Sequence, residues 1–255
     1  MAEALLNENH TFTMFPFAYA QSTNEAMRKT MHLYGIRKLH SRIQDLHERI
    51  HQIKSADGPH PGSLYVELDT LLFELKAIAF FTGDTVRHDL EYEPAGNDRK
   101  GKSVDLGFVE GGMQYLVELK ATNPQTKESR IPVEHFSANT LHANPMYYNW
   151  ISSSRSHLLE FLIDTEKKLS NYSEKHIGVL CVYKNFYIEE DELEALWHFY
   201  VTGTPHPGDA FGDMMQHELQ RKGIEFSGTI DELWALTFPQ YGFDLQQDGF
   251  LRLHK

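Results

Sequence analysis

The chain carries one cysteine in 255 residues. That excludes a disulfide framework within the chain and suits a reducing compartment. Cys181 itself lies in the apolar run Ile177-Gly-Val-Leu-Cys-Val-Tyr183 and reads as a buried thiol. No apolar stretch approaches the roughly 20 residues of a membrane-spanning helix, and the start, Met1-Ala-Glu-Ala-Leu-Leu-Asn-Glu8, lacks the basic segment of a secretory signal. A cytoplasmic protein with no membrane partner is expected. Positive charge is scarce: 24 Lys and Arg stand against 36 Asp and Glu, for a net charge of −12. Such a balance weighs against coating nucleic acid through bulk electrostatics, though it leaves room for an enzyme with a local basic groove. Internal repeats and low-complexity tracts are missing, as are helix-turn-helix, zinc-finger and aromatic RNA-binding signatures, so no base-reading module is evident.

What is present is enough apolar residue, 41% of the chain, to bury a real core. Residues 1–62 read as an N-terminal segment rich in aromatics (Phe12, Phe15, Phe17, Tyr19) followed by one long helix. Thr23 or Asn24 caps it, the stripe Ile36, Leu39, Ile43, Leu46, Ile50, Ile53 has helical spacing, and Ala56-Asp-Gly-Pro-His-Pro-Gly62 ends it. Residues 63–185 form the expected core. A helix over 63–81 presents Leu64, Leu68, Leu71, Leu72, Leu75 and Ile78 on one face, with Glu67 and Glu74 sharing a flank. Thr85–Glu93 alternates as a strand, Ser152–Ser170 reads as a helix, and Ile177–Tyr183 as a fully buried strand. Between them, Ala121–Asn149 is a long segment holding His135 and His142. Residues 186–255 are expected to be a helical extension packed on the core, with helices over Glu189–Tyr200 and Met214–Lys222 and a third capped by Thr229 with Glu232 at the box position.

The most informative stretch is Ser103-Val-Asp-Leu-Gly-Phe-Val-Glu-Gly-Gly-Met-Gln-Tyr-Leu-Val-Glu-Leu-Lys120. Two apolar runs flank Gly111-Gly112, a strong two-residue hairpin signal. Counting outward from the turn, Glu110 faces Met113, Phe108 faces Tyr115 and Asp105 faces Glu118. Directly opposed carboxylates repel unless a cation sits between them. Lys120 lies two residues past Glu118 and leaves the strand on the same face. Two acids and a lysine on one sheet face suit a hard divalent ion, Mg²⁺ or Mn²⁺, bound by Asp105 and Glu118 with Lys120 as a charged helper.

The order helix, strand, strand, strand, helix, strand, with an acid on the first helix, Asp105 on the second strand and Glu118-Leu-Lys120 on the third, resembles the PD-(D/E)xK, or restriction-endonuclease-like, nucleases. The resemblance covers roughly residues 63–185. It departs from the strict signature at Val104, where that pattern has proline. It implies a mixed central β-sheet flanked by helices, an α/β fold, and phosphodiester hydrolysis in DNA ahead of RNA. It further implies the Leu119 carbonyl as an extra metal ligand and Glu74, with Glu67 as the fallback, as the acid from the helix side. The tripeptides Glu74-Leu-Lys76 and Glu166-Lys-Lys168 repeat the acid-x-Lys spacing, but in helical patterns where acid and lysine do not share a face.

Other readings stand beside this one. The same fold with an inactive site would serve as a binding or scaffold subunit of a nucleic-acid-processing complex. A histidine-based metallohydrolase would draw on the long segment with His135 and His142. His32, His40, His47 and His51 favour a surface or interface flank of the first helix, and His206, Asp209, Asp213 and His217 turn and cap roles. Arg99, Lys100, Lys102, Lys127, Arg130, Arg155, Lys167 and Lys168 surround the expected cleft as candidate phosphate contacts. The Ile/Leu seam of the first helix permits packing on the core or pairing with a second subunit.

Overall fold

A computed structural model describes residues 16–53, 62–96, 102–121, 158–184, 190–205, 210–238 and 249–255. Six helices appear among them: α1 (Pro16–Thr30), α2 (Arg37–Ile53), α3 (Gly62–Thr82), α4 (158–169), α5 (Glu190–Thr202) and α6 (Ala210–Lys222). The strands are β1 (Arg87–Tyr92), β2 (Leu106–Glu110), β3 (Met113–Ala121), β4 (Ile177–Tyr183), β5 (Glu232–Leu236) and β6 (Phe250–His254). They form one six-stranded sheet in sequence order. β1, β2 and β3 run as an antiparallel meander, β4 and β5 join parallel to β3, and β6 closes antiparallel to β5. The fold is α/β with a mixed sheet, as expected.

Strand periodicity sorts the side chains to two cores. Tyr115, Val117 and Leu119 of β3 pack with Val179, Cys181, Trp234 and Leu236 against α1, α2 and α3. Leu116, Leu180, Val182, Leu233 and Ala235 pack on the other side against α4, α5 and α6. The helices therefore cover both faces, which is why β4 reads as an unbroken apolar run. Cys181 is buried and unpaired, and burial pushes its thiol above its ordinary range. No helix among the described residues is long and apolar enough to cross a membrane.

Three expectations are corrected. The long N-terminal helix is two helices. Thr23 is buried in the middle of α1, not its cap, and the chain breaks between Thr30 and Arg37. Gly35 supplies the break with φ 80°, a conformation that costs glycine little. Tyr34 bridges to Glu91 of β1 there, and Thr30 Oγ1 lies 3.0 Å from His40 Nε2. Burial holds the His40 imidazole below its ordinary value, so this histidine is no free surface group. Ile36, Leu39, Ile43 and Leu46 are buried as the stripe required.

The C-terminal part is the second correction. Residues 232–236 are not the helix expected after Thr229. Glu232-Leu-Trp-Ala-Leu236 is buried on both faces as β5, between β4 and β6. A short apolar run lacks a decisive period, and pairing with β4 settled it. Third, a boundary near 185 would cut the sheet, because β5 and β6 belong to it. The helices over 190–202 and 210–222 are present where helices were expected.

A small residue allows the join between β4 and the segment before β5. Gly178 N–H donates to Asp231 Oδ2 at 2.9 Å, and Asp231 N–H donates to the Gly178 carbonyl at 2.7 Å. A Cβ on Gly178 would lie 2.5 Å from the Thr229 carbonyl oxygen and 2.7 Å from Leu169 Cδ1. Gly178→Ala is expected to destabilise the protein by about 1–3 kcal/mol through overpacking, read as a lowered midpoint in urea unfolding.

Candidate active site

The hairpin forms in the expected register. Glu110 pairs with Met113 and Phe108 with Tyr115 across a turn in which Gly111 and Gly112 both have positive φ. Asp105 lies one residue before β2 and continues the ladder. Its N–H donates to the Val117 carbonyl at 3.1 Å and its carbonyl accepts from Glu93 N–H at 3.0 Å. Its carboxylate turns back on β3, where Oδ2 accepts the Leu119 N–H at 2.7 Å. The residue before it is held too: Val104 N–H donates to Tyr172 Oη at 3.1 Å, and that hydroxyl donates to the Pro94 carbonyl at 2.8 Å. Since Leu119 N–H points to the β2 side, its carbonyl does so as well, towards Asp105 and away from β4.

Glu118 and Lys120 leave β3 together on the α4 side, with Lys120 Nζ 2.9 Å from Glu118 Oε1. Glu118 is 1% exposed. Lys168 of α4 covers it: its Nζ lies 2.5 Å from Oε1 and 2.7 Å from Oε2, and 3.9 Å from Asp105 Oδ1. The cation expected between the opposed acids is therefore an ammonium group of the chain itself, and the inference that their repulsion demands a bound ion is corrected. Lys120 also reaches Asp164 at 3.6 Å and stands 5.7 Å from the Phe161 ring centroid. From the other side of the sheet, Glu74 of α3 accepts the Tyr92 hydroxyl at 2.7 Å. Its field acts on Asp105, and Glu118 acts on it. Glu67, the fallback, is exposed and stands outside this arrangement.

Electrostatics follow from burial. Desolvation and then the Glu74 charge push the Asp105 carboxyl up to about 6, against the pull of Lys168, the Leu119 amide and Lys120. Desolvation and then Asp105 push Glu118 up to about 7, against Lys120 and Lys168. Glu74 is raised as well, chiefly by burial. Burial lowers the Lys168 ammonium, but Asp105 and Glu118 outweigh that and leave it raised. Three carboxylates gathered against two ammonium groups make a site short of positive charge.

The sequence offered Lys168 as a candidate phosphate contact, while the Glu166-Lys-Lys168 tripeptide was read as helical and not as the metal motif. The two residues do point apart, as expected. Glu166 is buried on the far side of α4, where it accepts Tyr200 Oη–H and the Ser227 and Gly228 amides. A signal for Lys168 existed nonetheless. Phe161, Asp164 and Lys168 are spaced three and four apart, one flank of a helix, and all three meet Lys120 or Glu118. Tyr92 gave no such signal. Lys102 and Lys167 are exposed. His135, His142, His206, Asp209, Arg99, Lys100, Lys127, Arg130 and Arg155 lie outside the described residues.

A second ionic cluster marks the hairpin end of the sheet. Arg252 binds Glu232 at 2.6 Å and Tyr115 Oη at 2.9 Å, stacks over Trp234, and reaches Glu110, which also holds Arg87. Every member is paired within it, as a cross-strand brace would be.

Comparison with known protein families, with curated proteins and with solved structures finds no match for this chain. The arrangement of side chains alone therefore carries the functional reading. Its oxygen donors, Asp105, Glu118, Glu74 and the Leu119 carbonyl, are of the kind a hard divalent ion takes. Among the described residues, no three His, Cys, Asp or Glu side chains are grouped so as to hold a metal outright.

Because Asp105 and Glu118 have raised folded values, they favour the folded state at low pH and lose that contribution as pH rises from about 4 to about 7. The melting temperature of the metal-free protein is expected to fall across that window. Asp105→Asn should flatten the fall, as measured by calorimetry at stepped pH.

Proposed function

We propose that this chain is a metal-dependent nuclease of the restriction-endonuclease-like type, hydrolysing phosphodiester bonds in DNA in preference to RNA. The observation that carries the reading is the convergence of Asp105, Glu118 and Lys120 at one place on the sheet. The order α3, β1, β2, β3, α4, β4 supports it, since that is the order the resemblance requires.

Asp105, Glu118 and the Leu119 carbonyl would hold Mg²⁺ or Mn²⁺, with Glu74 holding it or its water from the helix side. The ion, when bound, supplies Lewis acidity and a water of lowered pKa. The chain's own groups do the rest. Asp105 is fixed in direction by the Leu119 amide. Lys120, steadied by Glu118 and the Phe161 ring, presents an ammonium group to the attacking water and to the charge that grows on the phosphate oxygens. Packing of α3 and α4 on opposite faces keeps bulk water from the buried Glu118.

A second reading has its own support. Lys168 and Lys120 already neutralise Glu118, and the net charge is −12. Both suit a nuclease-fold module without catalysis, acting as a scaffold in a nucleic-acid-processing complex.

Plasmid, linear DNA and RNA incubated with Mg²⁺, Mn²⁺ or EDTA test the proposal. Cleavage should need the ion and vanish in Asp105→Ala. Lys120→Ala should lower cleavage by about 10²–10³-fold while keeping Mn²⁺ binding, and Glu118→Ala should lose both. No Mn²⁺ heat in calorimetry of the wild type, alongside no cleavage, selects the scaffold reading. Stoichiometric zinc in the purified protein would instead point to the histidine-based hydrolase.

A further inference from the structure

We propose that Lys168 is a tethered stand-in cation, which occupies the Glu118 carboxylate and must be displaced before a divalent ion can use that ligand. The inference rests on the metal-site reading above and adds a positioning residue and a competition to it.

Glu118 is the most enclosed member of the site, at 1% exposure, so its oxygens are reached only past the groups that cover them. Lys168 Nζ contacts both oxygens, and Lys120 Nζ contacts one. The Lys168 ammonium also lies 3.9 Å from Asp105 Oδ1, within reach of both acids that a shared ion would need. An ammonium and a divalent ion cannot share that place. Lys120 differs: it approaches along its own strand and has Asp164 and Phe161 as alternative partners, so it yields one contact without losing its position.

Lys168 has a rigid mount. On the far side of α4, Glu166 is fastened by Tyr200 Oη–H and by the Ser227 and Gly228 amides, and Tyr200 Oη in turn accepts the Ile230 N–H. That anchor sets the rotation of the helix and aims Lys168 at Glu118. The side chain can swing away on its four-carbon stem while α4 stays in place. Apparent metal affinity is then reduced by the fraction of time in which Glu118 is free. Without this ammonium, a buried carboxylate beside a second one would be a costly arrangement in the metal-free chain.

Calorimetric titration of Mn²⁺ into wild type, Lys168→Met, Lys168→Gln and Asp105→Asn tests this, with Mn²⁺-dependent melting on the same samples. Both Lys168 variants should bind Mn²⁺ at least about tenfold more tightly than wild type. They should melt lower than wild type in EDTA and recover more on Mn²⁺ addition, and Asp105→Asn should not bind. Unchanged or weaker affinity in the Lys168 variants, with binding lost in Asp105→Asn, overturns the stand-in role and leaves the metal site intact. No Mn²⁺ heat in any folded variant overturns both. Acylation of wild-type lysines followed by mass spectrometry needs no variant. Lys168 should be protected in EDTA and labelled in saturating Mg²⁺, and continued protection in Mg²⁺ overturns the inference.

Discussion

The contact between Lys168 and Glu118 governs the rest of the site. It places a charge pair between the central strand β3 and helix α4, in a position with 1% exposure on the acid side. Burial of a carboxylate is costly unless it is paired and hydrogen-bonded. Here two ammonium groups meet Glu118, and one of them belongs to a helix that arrives well after the strand in the chain. Satisfying Glu118 therefore fixes α4 against the sheet. It also holds Phe161 and Asp164 beside Lys120, and leaves Asp105 to be oriented by the Leu119 amide.

The fold serves this contact from both faces. The helices α1 to α3 cover one side of the sheet and bring Glu74 with Tyr92; α4 to α6 cover the other and bring Lys168. Glu74 thus acts on Asp105 from the α3 side of the sheet, while Glu118 lies on the α4 side. The least regular part of the meander is β1 and the residue after it. Asp89 and Glu93 have positive φ, and the β1–β2 register shifts between His88 and Glu91. Irregularity next to a charged cluster is common where a strand must re-aim a side chain.

The hairpin was legible because its rules are local. Gly111-Gly112 sets the turn, the turn sets the register, and the register places Asp105 opposite Glu118 and Lys120 on the same side as Glu118. Glu74 was ranked over Glu67 by likeness to a family, and burial beside Tyr92 distinguishes the two physically. The break in the first helix was harder to see. Gly35 is the marker, but the apolar stripe starts only at Ile36, just past it, and the pairing of Tyr34 with Glu91 is a long-range contact.

By itself, then, the sequence determined what local stereochemistry controls: the glycine turn, the alternation of β3, the apolar faces of α2 and α3, and the buried run of β4. Tertiary structure alone decided two things. It made Glu232–Leu236 a strand, because a short, mostly apolar run takes its conformation from the edge of β4 that it pairs with. It also chose the cation between Asp105 and Glu118. Helical spacing puts Phe161, Asp164 and Lys168 on one flank, but does not say which buried carboxylate that flank will meet; the packing of α4 across the sheet brings Lys168 over Glu118.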